Sequence, residues 1–169
     1  KVRGYGWFLA EKYDTVGISR TFLTYDNRTV EVSGGDYGWM IDVEQETDAL
    51  MDAVTNGVIE VRKPVYSHEA AAREENDIGF TYLEIDTANR QVVFYKDAEP
   101  AIQVIAEIGI GITSGCYAMN VMGEDAGLIS FGDFHLETLS PEIDAILIPE
   151  EQMQALKGLV EPGLPVIIY

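Results

Sequence analysis

Apolar and polar positions change period several times along this chain, and the changes divide it into elements. Residues 6–10, 20–24 and 29–32 are rich in aromatic and β-branched residues and read as strands, with Asp26-Asn27 as a turn between the last two. Ser33-Gly34-Gly35-Asp36 is a second turn signal. Tyr37-Gly38-Trp39-Met40-Ile41 then leads to Asp42, whose short carboxylate suits a helix N-cap. From Val43 the apolar period becomes helical, with Val43, Ala49, Leu50, Ala53 and Val54 on one face. Glu44 and Glu46 stand in the first turn, where the helix dipole favours anions, and Asn56-Gly57 is a stop. Residues 58–62 alternate like a strand up to Pro64.

Residues 68–76 are polar and rich in Ala and Glu, with no apolar face, and read as a loop or short helix joining two units. Beyond them, residues 81–86 and 91–95 form a hairpin pattern around Thr87-Ala88-Asn89-Arg90. Asp97-Ala98-Glu99-Pro100 is a further turn before a strand over 101–107, and residues 117–121 suggest another strand. Residues 128–139 keep no single period, and 145–148 reads as a short buried strand. Pro149 suits the first position of a helix over 150–160 that turns Met153, Leu156 and Val160 inward. Glu161-Pro162-Gly163 ends it, and 165–169 is a last strand. The expected class is α+β: a small α+β domain over residues 1–75, then a mostly β domain with one late helix over 76–169.

Composition narrows the function. Of 169 residues, 47% are apolar, enough for a packed core. The 29 acidic and 11 basic residues give a formal charge of −18, which repels phosphate backbones and anionic membrane surfaces, so nucleic acid is not an expected partner. The single cysteine, Cys116, excludes an internal disulfide and any Cys-rich metal site. No apolar run approaches the roughly 20 residues of a membrane span. The chain starts Lys-Val-Arg rather than with Met, as a segment of a longer chain would, so membrane attachment is expected only through a preceding segment.

Several stretches carry a family resemblance. Asn76-Asp77-Ile78-Gly79-Phe80-Thr81-Tyr82-Leu83-Glu84-Ile85-Asp86, continuing to Gln91-Val92-Val93-Phe94-Tyr95-Lys96-Asp97, resembles the opening hairpin of the L,D-transpeptidase catalytic domain, with Ala98 in place of a turn glycine. Residues 159–169 are similar to that family's closing helix and strand, and Ile112-Thr113-Ser114-Gly115-Cys116-Tyr117 to an internal strand start that lacks its Pro. Gly34-Gly35-Asp36-Tyr37-Gly38-Trp39-Met40-Ile41-Asp42, the following helix and Lys63-Pro64-Val65-Tyr66 resemble the peptidoglycan-binding-like domain often found before it. The resemblance implies a bacterial, extracellular, cell-wall-associated protein whose partner is peptidoglycan or a wall protein.

That family's reaction needs a cysteine thiolate, an imidazole to activate it and backbone donors for the oxyanion. The resemblance places them in a serine-histidine-glycine-cysteine motif roughly 20 residues before the closing strand. Here Glu142-Ile143-Asp144-Ala145 stands in that place, so Ala145 falls where the nucleophile belongs and Ile143 where its His belongs. No catalytic residue is therefore expected. Cys116 and His135 are the remaining side chains of suitable type: Cys116 at an apolar strand position far upstream, His135 a counterpart of a second active-site His in the family. His68 reads as a solvated loop residue. Gly109-Ile110-Gly111 lacks the third glycine of a dinucleotide loop, and no metal motif occurs, so neither cofactor nor metal is expected. Tyr37 and Trp39 alternate on one strand face, in the core or as a platform for sugar rings. The expected function is a pseudoenzyme that binds the wall, the alternative an active acyl transferase using the displaced Cys116.

Overall fold

The computed structural model describes residues 2–73, 76–120, 128–139 and 142–169. The chain folds as two compact units, one of residues 1–16 and 38–69, the other of 17–37 and 70–169. The division differs from a single cut after residue 75: the segment 17–37 packs with the C-terminal unit.

In the first unit, the apolar residues expected to form a strand over 6–10 belong instead to helix α1 (Val2–Tyr13). Its helical period is carried by small residues, which aromatic counting overlooks. Gly6 and Ala10, four apart, are its buried positions. A Cβ on Gly6 would come within 3.1 Å of Thr47 Oγ1 and 3.3 Å of Val43 Cγ1, so the missing side chain lets α1 lie close on α2 (Val43–Thr55). Asp42 caps α2, accepting from the Gln45 N–H at 2.9 Å. The face expected to be buried is only partly so, and Val54 is exposed; the one fully buried α2 residue is Glu46. Its carboxylate accepts from both terminal nitrogens of Arg62 (3.0 and 2.9 Å) and from the Val65 N–H (2.8 Å). Residues 58–62 form no strand, because no neighbouring strand pairs with them among the described residues, and Ile59 and Val61 are fully exposed. The unit's only sheet among the described residues pairs β3 (Met40–Ile41) with β4 (Tyr66–His68).

The second unit opens with the hairpin β1 (Arg20–Leu23) and β2 (Thr29–Val32), turned by Asn27 at φ 62°. Residues 69–73 and 76–81 are irregular, so the expected linker is a loop. The predicted hairpin is β5 (Tyr82–Asp86) and β6 (Gln91–Lys96), extended by β7 (Glu99–Ile105). β7 starts two residues earlier than expected, because Asp97 and Ala98, both at positive φ, complete the turn alone. Next come β8 (Glu107–Ile108), β9 (Gly115–Ala118), β10 (Ile129–Phe131), β11 (Phe134–Glu137) and β12 (Ala145–Leu147). Helix α3 (Glu150–Lys157) has Pro149 at its N-cap and stops short of the expected 160; β13 (Pro165–Ile168) closes the chain.

Beside the β1–β2 pair, the described strands of this unit form two larger sheets, ordered β7-β6-β5-β13-β9 and β10-β11-β12-β8. β13 lies between β5 and β9 and pairs parallel with β5, so the last strand completes the sheet that the hairpin starts. Leu83, Ile85, Val92, Phe94, Phe131, Leu136, Ile146, Met153, Leu156 and Val166 belong to one core, which explains why these short strands are nearly continuous apolar runs.

Arg20, Asp77, Glu84 and Asp86 are buried charged residues of this unit. Arg20 on β1 grips Asp77 with two bonds, Nε to Oδ1 at 2.7 Å and Nη2 to Oδ2 at 3.0 Å, and also donates to the carbonyls of Ile18 and Tyr37. Both side chains are almost wholly buried. Asp77→Asn, which leaves the guanidinium buried and uncompensated, is expected to lower the unfolding free energy by about 3–5 kcal/mol. Denaturant titration measures this, and a loss below about 1 kcal/mol, the scale of a surface pair, would show that the pair holds nothing.

Glu84 on β5 is fully buried; its Oε1 accepts from the Tyr25 N–H (2.8 Å) and the Tyr169 hydroxyl, while Oε2 has no partner. Burial pushes its carboxyl above the ordinary glutamate range, against the lowering effect of the two hydrogen bonds. The folded state therefore holds this proton more tightly than the unfolded chain. Stability from Glu84 is present below the ordinary glutamate range and lost as pH rises through the raised value. Unfolding measured from acid to neutral pH should show the natural protein losing stability relative to Glu84→Gln. Parallel profiles for the two proteins would contradict this.

Candidate functional site

Residues 142–145, where the sequence resemblance leads one to expect a catalytic motif, run into β12. β12 pairs parallel with β11, which sets His135 opposite Ala145. The His135 N–H donates to the Asp144 carbonyl at 3.2 Å. On the other side, the Gly109 N–H donates to the Ala145 carbonyl (2.8 Å) and the Gly111 N–H to that of Ile143 (2.7 Å). A Cβ on Gly109 would fall 2.4 Å from the Ile143 oxygen and 2.6 Å from that of Glu142. These two glycines, which resembled part of a phosphate loop, are there so that two backbones can touch. The result is a rigid floor beneath residues 142–145.

Ala145 is wholly buried on that floor, and Ile143 is exposed. Neither side chain has a group that can take up a proton or attack a carbonyl. The fold gathers a different set of polar side chains: one donor atom each of His135, Glu142 and Asp144 lie within 4.8 Å of one another. His135 Nε2 also stands 3.9 Å from Glu137 Oε1. The sequence pattern singles out His135 but not its neighbours, because acidic residues are so common in this chain that two more carry no signal.

Cys116 lies elsewhere, on β9 opposite Ile167 of β13, and is wholly buried. Its N–H donates to the Gly34 carbonyl (3.1 Å) and its carbonyl accepts from the Tyr37 N–H (3.0 Å). A Cβ on Gly35, at φ 82°, would land 2.0 Å from the Cys116 oxygen, so only glycine fits there. Burial pushes the thiol up to about 12; Asp77 and Asp36 add to the rise and Arg20 opposes it. A thiol so placed is not ionised at neutral pH and meets no solvent.

The aromatic pair offers no exposed platform for sugars. Tyr37 is buried in the second unit, donating from its hydroxyl to the Asp77 carbonyl (3.0 Å) and accepting from the Ala71 N–H (2.8 Å). Trp39 is buried in the first unit, edge-on to Tyr66 at 5.1 Å. The two residues are not on one strand; β3 begins only at Met40. His68 is exposed at the end of β4, 3.4 Å from Ser67 Oγ. The first unit also carries an apolar groove lined by Tyr5, Leu50, Val54, Val58, Ile59 and Val61, which the sequence did not foretell.

No family model matches the chain, and no curated protein does. Solved structures do. The structure is similar to a cysteine-to-serine mutant of the Enterococcus faecium L,D-transpeptidase, with a TM-score of 0.75 and 25% identity over 99% of this chain and 81% of that one. It is equally similar to the Ldtfm–avibactam carbamoyl enzyme, at 0.75 and 26% over 99% and 79%. The L,D-transpeptidase (Yku) from Stackebrandtia nassauensis shares the fold alone, at 0.50 and 11% over 60% of this chain and 58% of that one. The α+β class is thus established, and the fold is L,D-transpeptidase-like. In this chain Ala145 and an imidazole–carboxylate cluster occupy the entry to β12.

The burial of Cys116 sets an expectation for its reactivity. Under native conditions iodoacetamide should label it at least about a hundredfold more slowly than in denaturant, because both the thiolate and access are missing. Native labelling as fast as a free thiol would place Cys116 at the surface.

Proposed function

We propose that this chain is a non-catalytic, cell-wall-associated protein of L,D-transpeptidase-like fold that binds peptidoglycan or a wall protein, outside the cell. The observation that carries the reading is Ala145. It fills the place where the resemblance puts the nucleophile, and it is a buried methyl group at the start of β12. The solved structures that share the fold over nearly the whole chain are an L,D-transpeptidase mutant and an avibactam carbamoyl enzyme, which supports a wall-related ligand. Residues 1–75 are proposed as the peptidoglycan-binding-like part. No helix among the described residues is long and apolar enough to cross a membrane.

Acyl transfer by a displaced thiol would need Cys116 both ionised and within reach of a peptide carbonyl. Its burial and raised pKa oppose both. Attraction by net charge does not help binding either, since the chain carries −18 and the wall is itself rich in anionic groups. Recognition must then be local, through shape and hydrogen bonds.

Co-sedimentation with purified sacculi tests the reading. The protein is expected in the pellet above a charge-matched control. No retention above that control would overturn it.

A further inference from the structure

We propose that His135, Glu142 and Asp144 form a binding site for a single divalent transition-metal ion of the zinc or manganese type. The inference does not depend on wall binding; it concerns what the entry to β12 holds now that no thiol stands there.

The geometry comes first. Three donor atoms, one imidazole nitrogen and two carboxylate oxygens, already lie within 4.8 Å of one another. An ion held at about 2.0–2.2 Å from each needs donors roughly 3–3.6 Å apart. Glu142 is exposed and free to adjust its rotamer, so the remaining closure is a side-chain movement. The backbone needs none. The bond from His135 N–H to the Asp144 carbonyl ties the two ligand-bearing segments together, and the Gly109 and Gly111 bonds fix residues 143 and 145 from the other side. A site whose backbone is held before the ion arrives avoids most of the ordering cost of binding.

Charge gives a second and independent reason. Among the described residues no lysine or arginine pairs with Glu137, Glu142 or Asp144. Three carboxylates therefore surround one imidazole in a chain of charge −18. Glu137 Oε1 is buried and has no hydrogen-bond partner, yet it faces His135 Nε2 at 3.9 Å. A buried carboxylate oxygen left without a partner is costly. A cation on the imidazole would supply the missing charge, and Glu137 would then orient that ring, as carboxylates commonly do for metal-bound histidines.

The donor set selects the ion. One imidazole with two carboxylates suits Zn²⁺ or Mn²⁺; the lack of a thiolate disfavours Cu⁺, and the imidazole disfavours Mg²⁺. Three protein ligands, one of them exposed, leave a coordination position for water. No linear motif announces the site, because His135 sits on β11 and its partners just before β12, joined by parallel pairing.

Isothermal titration of the intact chain with Zn²⁺, with Mn²⁺ and with Mg²⁺ provides the test. One equivalent of Zn²⁺ or Mn²⁺ should bind with micromolar affinity or better, and Mg²⁺ far more weakly. His135→Ala and Asp144→Asn should each weaken binding by at least about tenfold, while Glu150→Gln, an exposed carboxylate on α3, should leave it unchanged. Bound metal should also raise the melting temperature of the natural protein and not that of the variants. Should either of these half-buried variants lose its circular dichroism spectrum, the exposed Glu142→Gln carries the comparison. Undiminished binding in His135→Ala or Glu142→Gln, several equivalents shared with Mg²⁺, or no binding at all would each overturn the proposal.

Discussion

The ion pair between Arg20 and Asp77 is the constraint around which the second unit is arranged. A guanidinium offers several donors in one plane, and here they reach a carboxylate and two carbonyls from separate stretches of chain. Tyr37 completes the arrangement, since its carbonyl accepts from Arg20 and its hydroxyl donates to the Asp77 carbonyl. Cys116 lies against the same group, bonded to Gly34 and Tyr37 through its backbone. Residues 17–37 are thereby fastened to the sheet that begins at β5. A pair this buried is a poor source of net stability compared with an apolar filling, so its use here is specificity of docking.

The same pair explains which parts of the fold were readable in the sequence. The β5–β6 hairpin, the Asp42 cap, the late helix and the closing strand rest on local chemistry: turn residues, a capping side chain, a Pro at a helix start. Local signals are what a sequence displays. The errors arose where a distant partner decided the outcome. Residues 58–62 have a strand's alternation but no strand to pair with among the described residues. Glu46 occupies a core position because Arg62 and the Val65 N–H neutralise it, whereas Val54 is left outside. α1 was hidden because its packing face is Gly6 and Ala10, and small residues give no hydrophobic signal.

For the site, what could be read was an absence. The run Glu142-Ile143-Asp144-Ala145 showed that a thiol and an imidazole were missing from the expected place. Its replacement could not be read, because that depends on a parallel strand pair setting His135 beside residues seven to nine positions later. Gly109 and Gly111 make the same point from the other direction. In one dimension they looked like a fragment of a phosphate loop; in three they are the space into which the carbonyls of Glu142, Ile143 and Ala145 fit.

The entry to β12 is tightly built. Ala145 is packed without exposure, and its carbonyl accepts from the Gly109 N–H, so the backbone at the entry to β12 is held between β11 and the Gly109 turn. The floor under residues 142–145 is tight, and the polar groups above it are three carboxylates around one imidazole. The chemistry that His135, Glu142 and Asp144 offer there is coordination and hydrogen bonding. Such chemistry is compatible with a protein that holds the wall or a wall partner, because holding needs fixed donors and acceptors and no turnover.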